Sequence, residues 1–125
     1  CGMPATPGPS PRAATIAAMP VLIVHSACPD AATADAIARV LVEERLAACV
    51  QVLPGMRSTY RWAGAIEQAD EVLLVAKTRD DRLDALIARV RALHPYELPE
   101  LVAVEAAGGL APYLAWVTEQ TRPHE

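Results

Sequence analysis

The chain reads as an α+β domain of the ferredoxin-like βαββαβ kind, with a long central hairpin and a closing helix. Three observations predict it: two amphipathic helical patterns, four strand-like apolar runs placed around them, and turn residues between the elements. VLIVHS (21–26) is a short apolar run and reads as a buried strand. CPD turns the chain, and Asp30 can cap a helix over about 31–46. In that helix Ala34, Ile37, Ala38, Leu41 and Val42 share one face, while Asp35, Arg39, Glu43 and Glu44 point away. ACVQVLP (48–54) is the second strand. Pro54-Gly55 predicts a bend or bulge there rather than an end, because STYRW (58–62) resumes strand character. Ala63-Gly64 closes a hairpin, and AIEQADEVLLVAKT (65–78) returns. Both strands exceed the usual ~5–6 residues, so the hairpin should project beyond the body of its sheet. RDDRLDALIARVRAL (79–93) is the clearest helix: Leu83, Leu86, Ile87, Val90 and Leu93 keep the helical spacing, and Thr78 or Asp80 can cap it. LVAVEAA (101–107) is the last strand. Gly108-Gly109 breaks it, and Pro112 then opens a short helix through Trp116 and Val117.

A length of 125 residues suits one domain. Hydrophobic residues make up 53% and aromatics only 4%, with no Phe, so the core must be built from Ala, Val, Leu and Ile. Such side chains bury little area each, and association with further copies is a natural supplement. The net charge of -4 argues against nucleic acid or an anionic membrane as partner. No stretch reaches the ~18 apolar residues of a membrane span. Residues 1–19 carry four prolines between positions 4 and 11 and lack the pattern of a signal peptide. They read as a disordered tail or cloning remnant before a domain at 20–125, with Met19 a candidate natural start. Three cysteines without a CxxC pair make no disulfide framework, which points to a reducing cytoplasm.

The chemistry concentrates in HPYELPE (94–100). Two prolines hold this segment extended while it presents His94, Tyr96, Glu97 and Glu100. In a βαββαβ sheet His25 and Cys28 lie at the end of the hairpin tip, where the second helix also delivers His94; Cys49 and Lys77 belong to the opposite end. His25, Cys28 and His94 are therefore the candidate metal ligands. Imidazole and thiolate suit copper or zinc, and Glu97 or Glu100 can complete the shell. Their spacing matches no recognised zinc pattern. The competing reading makes His25 a strand-end histidine bonded to backbone and Cys28 a small apolar side chain. Cys49, in an apolar run, reads as core. Lys77, Tyr96, Glu97 and Glu100, with Tyr60 and Trp62, are the candidate lining of a cleft between subunits.

Five blocks carry a family resemblance: ARVLVEERLAACVQV (38–52), STYRWAG (58–64), EVLLVAKT (71–78), HPYELPE (94–100) and YLAWV (113–117). In order and content they resemble the CutA family of divalent-cation tolerance proteins, over nearly everything from residue 21 onward. The resemblance implies a ferredoxin-like subunit in a tight homotrimer, a link to Cu(II) or another divalent metal not required for folding, and no established enzymatic activity. One departure is Gln51, where the family often has Asn. Trimerisation is expected to bury Val52, Leu53, Tyr60, Trp62, Val72 and Leu74, removing an exposed strand edge. The alternative is a small-molecule sensor like the similarly built PII regulators, acting through partner proteins. Against it, the chain has no Gly-rich phosphate loop. An enzyme reading comes last: HSACPD lacks the Arg that an acylphosphatase loop needs, and no nucleophile–base arrangement stands out. VLLVA carries no base-stacking aromatics for RNA.

Overall fold

The structure, a computed structural model, describes residues 20–123. The expectation for residues 1–19 lies outside the described residues. Alternating and helical periodicities produce strand β1 (Val21–Cys28), helix α1 (Ala31–Glu43), strands β2 (Cys49–Trp62) and β3 (Ala65–Arg79), helix α2 (Leu83–Leu93), strand β4 (Val102–Glu105) and helix α3 (Ala111–Gln120). The sheet order is β2-β3-β1-β4, with every neighbouring pair antiparallel. This is the predicted ferredoxin-like arrangement.

One face of the sheet is closed by α1 and α2. Val24 and Cys28 of β1 meet Val72, Leu74 and Ala76 of β3, and onto them pack Ala34, Ile37 and Leu41 of α1 with Leu86 and Val90 of α2. Each large aliphatic chain buried there contributes about 1.5–3 kcal/mol. The opposite face carries Ile23, His25 and Ala27 on β1, in register with Lys77, Val75 and Leu73 on β3. Among the described residues only one end of that face is covered, by α3, where Val117 packs on Val21 and Ala48 beside Tyr113, Leu114 and Trp116. Along the rest, Leu53, Val102 and Val104 are about half exposed, at 51%, 55% and 50%.

The predicted irregularity at Pro54-Gly55 is a β-bulge. Register passes from Leu53↔Leu73 to Met56↔Glu71, so β2 spends one residue more than β3. Gly55 takes φ 85, the left-handed conformation that a side chain resists. The extra residue reverses the alternation of β2. Before it, Gln51 and Leu53 face the uncovered side; after it, Tyr60 pairs with Glu67 and Trp62 with Ala65 on that same side. The same alternation corrects the expected interface set. Leu74 is 1% exposed and Val72 7%, both in the helix-covered core, and Val52 packs against it. Leu53, Tyr60 and Trp62 alone of that set reach the open face.

The ends of α1 and α2 also differ from expectation. α1 stops at Glu43 because Arg45 adopts φ 59; Leu46 N–H then bonds Leu41 O at 2.8 Å and Arg45 N–H bonds Val42 O at 3.2 Å. This is the Schellman closure, with arginine where glycine is usual. Thr78 does not cap the next helix, since its hydroxyl is buried and donates to Leu46 O at 2.7 Å. A 3-10 turn at Asp80–Arg82 precedes α2, whose N-cap Arg82 makes no side-chain cap bond, so Asp80 is not its cap either.

Two of the left-handed residues, Gly55 and Arg45, yield a stability test by urea unfolding with an unchanged m-value. Gly55→Ala is expected to cost about 1–2 kcal/mol, since no atom crowds the new methyl and only the backbone penalty acts. Arg45→Gly is expected to gain up to about 1 kcal/mol by relieving the same penalty.

Candidate functional site at the 94–100 rim

Pro95 forces His94 out of the helical region, and His94 has φ -79 and ψ 135 while its N–H still closes α2 on Val90 O. The imidazole therefore turns inward, to 7% exposure. Its Nε2 lies 2.8 Å from Ala27 O, and its Nδ1 accepts the Tyr96 N–H at 3.1 Å. A carbonyl only accepts and an amide N–H only donates, so Nε2 carries the proton. Both ring nitrogens are thus committed to backbone. The ring also lies against Tyr96, with centroids 4.7 Å apart.

Tyr96 spans the end of β1 and donates its phenol O–H to Glu71 Oε2 at 2.8 Å. Glu71 is 8% exposed, a carboxylate almost out of water on β3. Desolvation, then the hydrogen bond and charge of Glu71, push the Tyr96 phenol up to about 12, with Tyr60 and Cys28 adding smaller effects. Cys28, the free thiol among the described residues, is fully buried. Burial, followed by the carboxylates of Asp30 and Glu71, pushes it up to about 11. A thiol held neutral in this way is a poor ligand and a poor nucleophile. Asp30 instead caps α1, its Oδ1 accepting Thr33 N–H at 2.7 Å, which holds its carboxyl below the usual range.

The expected metal set is not gathered within one chain. Cys28 and His94 reach the same end, but β1 alternation sends Cys28 to the helix-covered face and His25 to the open one, between Val75 and Val102. Among the described residues no group of three His, Cys, Asp or Glu is placed to hold a metal ion. Of the proposed cleft residues, Tyr60 and Trp62 are 45% and 48% exposed on the open face of the hairpin, and Tyr96 joins them through Glu71. Glu97 and Glu100 are exposed on the loop. Lys77 shares the open face at its far end, paired with Ile23 and Cys49; its ammonium donates to the Gln51 amide oxygen, and burial lowers its pKa. Cys49 is buried and not a free thiol. Sequence reasoning missed Glu71. Its signal was present: in EVLLVA the acid falls in phase with Leu73 and Val75, on a face otherwise aliphatic.

Known proteins share this fold. The sequence model of the CutA1 divalent ion tolerance protein family matches residues 22–120. The divalent-cation tolerance protein CutA of Thermus thermophilus is 46% identical over 99 residues, 79% of this chain and 96% of that protein. Human protein CutA is 46% identical over 94 residues, 75% of this chain, and there the chain spans only 52% of the relative's length. Among solved structures, CutA from Xylella fastidiosa superposes with a TM-score of 0.80 at 50% identity, covering 82% of this chain and 98% of that one. A periplasmic divalent cation tolerance protein from Archaeoglobus fulgidus gives 0.79 at 32% identity, covering 82% and 99%.

Two outcomes follow from the rim. Titration of phenolate absorbance should show one tyrosine ionising near 12 that Tyr96→Phe removes. Its folded-state pKa lies above the unfolded value, so the associated stability is complete below about pH 10 and lost as pH rises towards 12. Cys28 should resist iodoacetamide at pH 8 in the folded chain and react freely in urea; equal rates in both states would contradict its burial.

Proposed function

The chain belongs to the CutA1 divalent ion tolerance family, and we propose that it acts as a non-catalytic homotrimer in the response to divalent cations, copper among them. The observation that carries this is the uncovered sheet face: Ile23, Leu53, Leu73, Val75, Val102 and Val104 form an aliphatic surface that continues into Tyr60 and Trp62 of the hairpin. A soluble monomer rarely leaves such a surface open. The edge strands β2 and β4 lie on opposite sides of the sheet. Joining the edge of one copy to the other edge of the next is a head-to-tail contact, and such contacts close as rings where the rotation between copies permits.

In that assembly the Tyr96–Glu71 pair, Tyr60, Trp62 and Lys77 line the intersubunit cleft, with Glu97 and Glu100 at its mouth. Donors for a metal then come from more than one chain, consistent with the lack of a three-donor group among the described residues. The second reading is a sensor that takes a small molecule in this cleft and signals through a partner protein. No helix among the described residues is long and apolar enough to cross a membrane. Relatives named as chloroplastic and periplasmic show that compartment varies in the family, and Cys49, which is not a free thiol, removes the support that cysteine usage gave to the cytoplasmic expectation.

Calorimetric titration of the full chain with Cu(II) and Zn(II), beside Glu71→Gln, tests the metal reading. A saturable site of about micromolar affinity, weakened at least tenfold in the variant, is expected for one metal. No saturable heat for either metal from a chain that light scattering shows to be trimeric would shift the weight to the small-molecule reading.

A further inference from the structure

At the far end of the sheet from the 94–100 rim, a cavity of about 230 Å³ opens between the exit of α1 and the end of α3. Val42, Glu43, Arg45, Ala47, Ala48 and Gln120 line it. Its apolar part comes from Ala47 and Ala48, buried where β2 begins, with Ala48 packed against Val117 of α3 and Val42 half exposed. Its polar part comes from the way α1 closes. The left-handed turn at Arg45 sends the N–H groups of Arg45, Leu46 and Ala47 to Val42 O and Leu41 O, while Ala48 N–H goes to Lys77 O. The carbonyls of Glu43 and Glu44 receive none of these, and the last turn of α1 holds no basic side chain. That helix end is therefore negative, and the Glu43 carboxylate adds to it. One oxygen of Glu43 accepts the Arg39 Nε–H at 2.7 Å. Glu44 is taken up by Arg89, and Arg122 by Glu119. The half-buried Arg45 guanidinium, by contrast, has no hydrogen bond or ion pair among the described residues. Arg82 supports it from behind, donating to the Arg45 carbonyl at 3.4 Å. One small apolar space thus carries a negative wall and a positive wall.

We propose that this cavity binds a small free amino acid with a short aliphatic side chain. The carboxylate sits on the Arg45 guanidinium, the ammonium on Glu43 and the end of α1, and the side chain on Val42, Ala47 and Ala48. A bare anion would meet the acidic helix end, and a bare cation would meet Arg45 with Arg82 behind it. A zwitterion satisfies both walls at once. The guanidinium offers a carboxylate two parallel donors, which a lysine in its place would not. The Gln120 amide both donates and accepts, so it can serve either end of the ligand. Size narrows the choice: at about 30 Å³ for each water-sized group, the space takes roughly eight non-hydrogen atoms, about the size of valine. The inference goes beyond the metal and subunit readings and depends on neither.

The test is calorimetric titration of the full chain at neutral pH with L-valine. Two probes of the same skeleton run beside it: 3-methylbutanoate, which lacks the ammonium, and isobutylamine, which lacks the carboxylate. Saturable binding of L-valine with a Kd below about 1 mM is expected, and each probe should bind at least about tenfold more weakly. Arg45→Gln should weaken L-valine by a similar factor with the far-UV circular dichroism unchanged. Gln120→Glu, at the exposed end of α3, keeps the test decisive if Arg45→Gln fails to fold. It adds a carboxylate to the cavity wall that competes for Arg45, and it should also weaken L-valine at least about tenfold. No saturable heat with L-valine overturns the inference. So does 3-methylbutanoate binding as tightly as L-valine, which would make the cavity a simple anion site. Unchanged L-valine binding in a folded variant places the ligand elsewhere and overturns it as well.

Discussion

The single extra residue at the Pro54-Gly55 bulge sets what the long hairpin presents. A strand alternates strictly, so an uninterrupted β2 would carry Arg57, Thr59 and Arg61 on the side of Gln51 and Leu53. With the bulge those positions turn away. Arg57 donates to the Gln68 amide oxygen at 3.1 Å, and Gln68 in turn donates to Thr59. Tyr60 and Trp62 take the other side, in phase with Glu71, Leu73 and Val75. One left-handed glycine thereby converts a polar hairpin face into an aromatic one continuous with the aliphatic sheet. Because β1 ends where Cys28 pairs with Val72, the arms beyond Glu71 have no third strand to support them among the described residues.

The sheet is then finished on one side and unfinished on the other. α1 and α2 complete the first side with small aliphatic residues, and even the buried hydroxyl of Thr78 serves it by tying β3 to the α1 exit at Leu46. α3 reaches across only one end of the second side, anchored where Arg79 donates to Thr118 O. The rim loop stands at the other end: its two prolines stiffen it, His94 staples it to Ala27, and Tyr96 reaches the buried Glu71. The polar groups of the rim are therefore mostly spent on holding the loop in place. What remains open to a ligand or a neighbour is the strip from Trp62 down to Val104.

Much of this was legible in the residues. The Asp30 cap, the bulge at Pro54-Gly55, the hairpin at Ala63-Gly64 and the proline near the start of α3 each obey a local steric rule, and each stands where it was read. Helix ends were harder. Arg45 shows why: the left-handed closure of α1 uses a residue that carries no glycine-like signal. The candidate site was only half legible. Tyr96 and His94 were found because prolines mark their segment, and Glu71 was overlooked because one acid in a long strand resembles a solvated side chain. His25 and Cys28 were grouped because the topology brings both to one end of the sheet, although a separation of three along a strand puts them on opposite faces.

The order of strands and helices, the position of the bulge and the stiffness of the 94–100 loop were determined by the sequence itself, because backbone sterics and apolar periodicity act over a few residues. Only the tertiary structure decided which face of the sheet the helices cover, and hence that Val72 and Leu74 are core while Val75 and His25 are surface. It also decided that the phenol of Tyr96 meets the carboxylate of Glu71. Both outcomes depend on which strands become neighbours and on the register between them. A register shift of one residue would exchange every inward side chain for an outward one, and that choice is made by packing across the whole sheet.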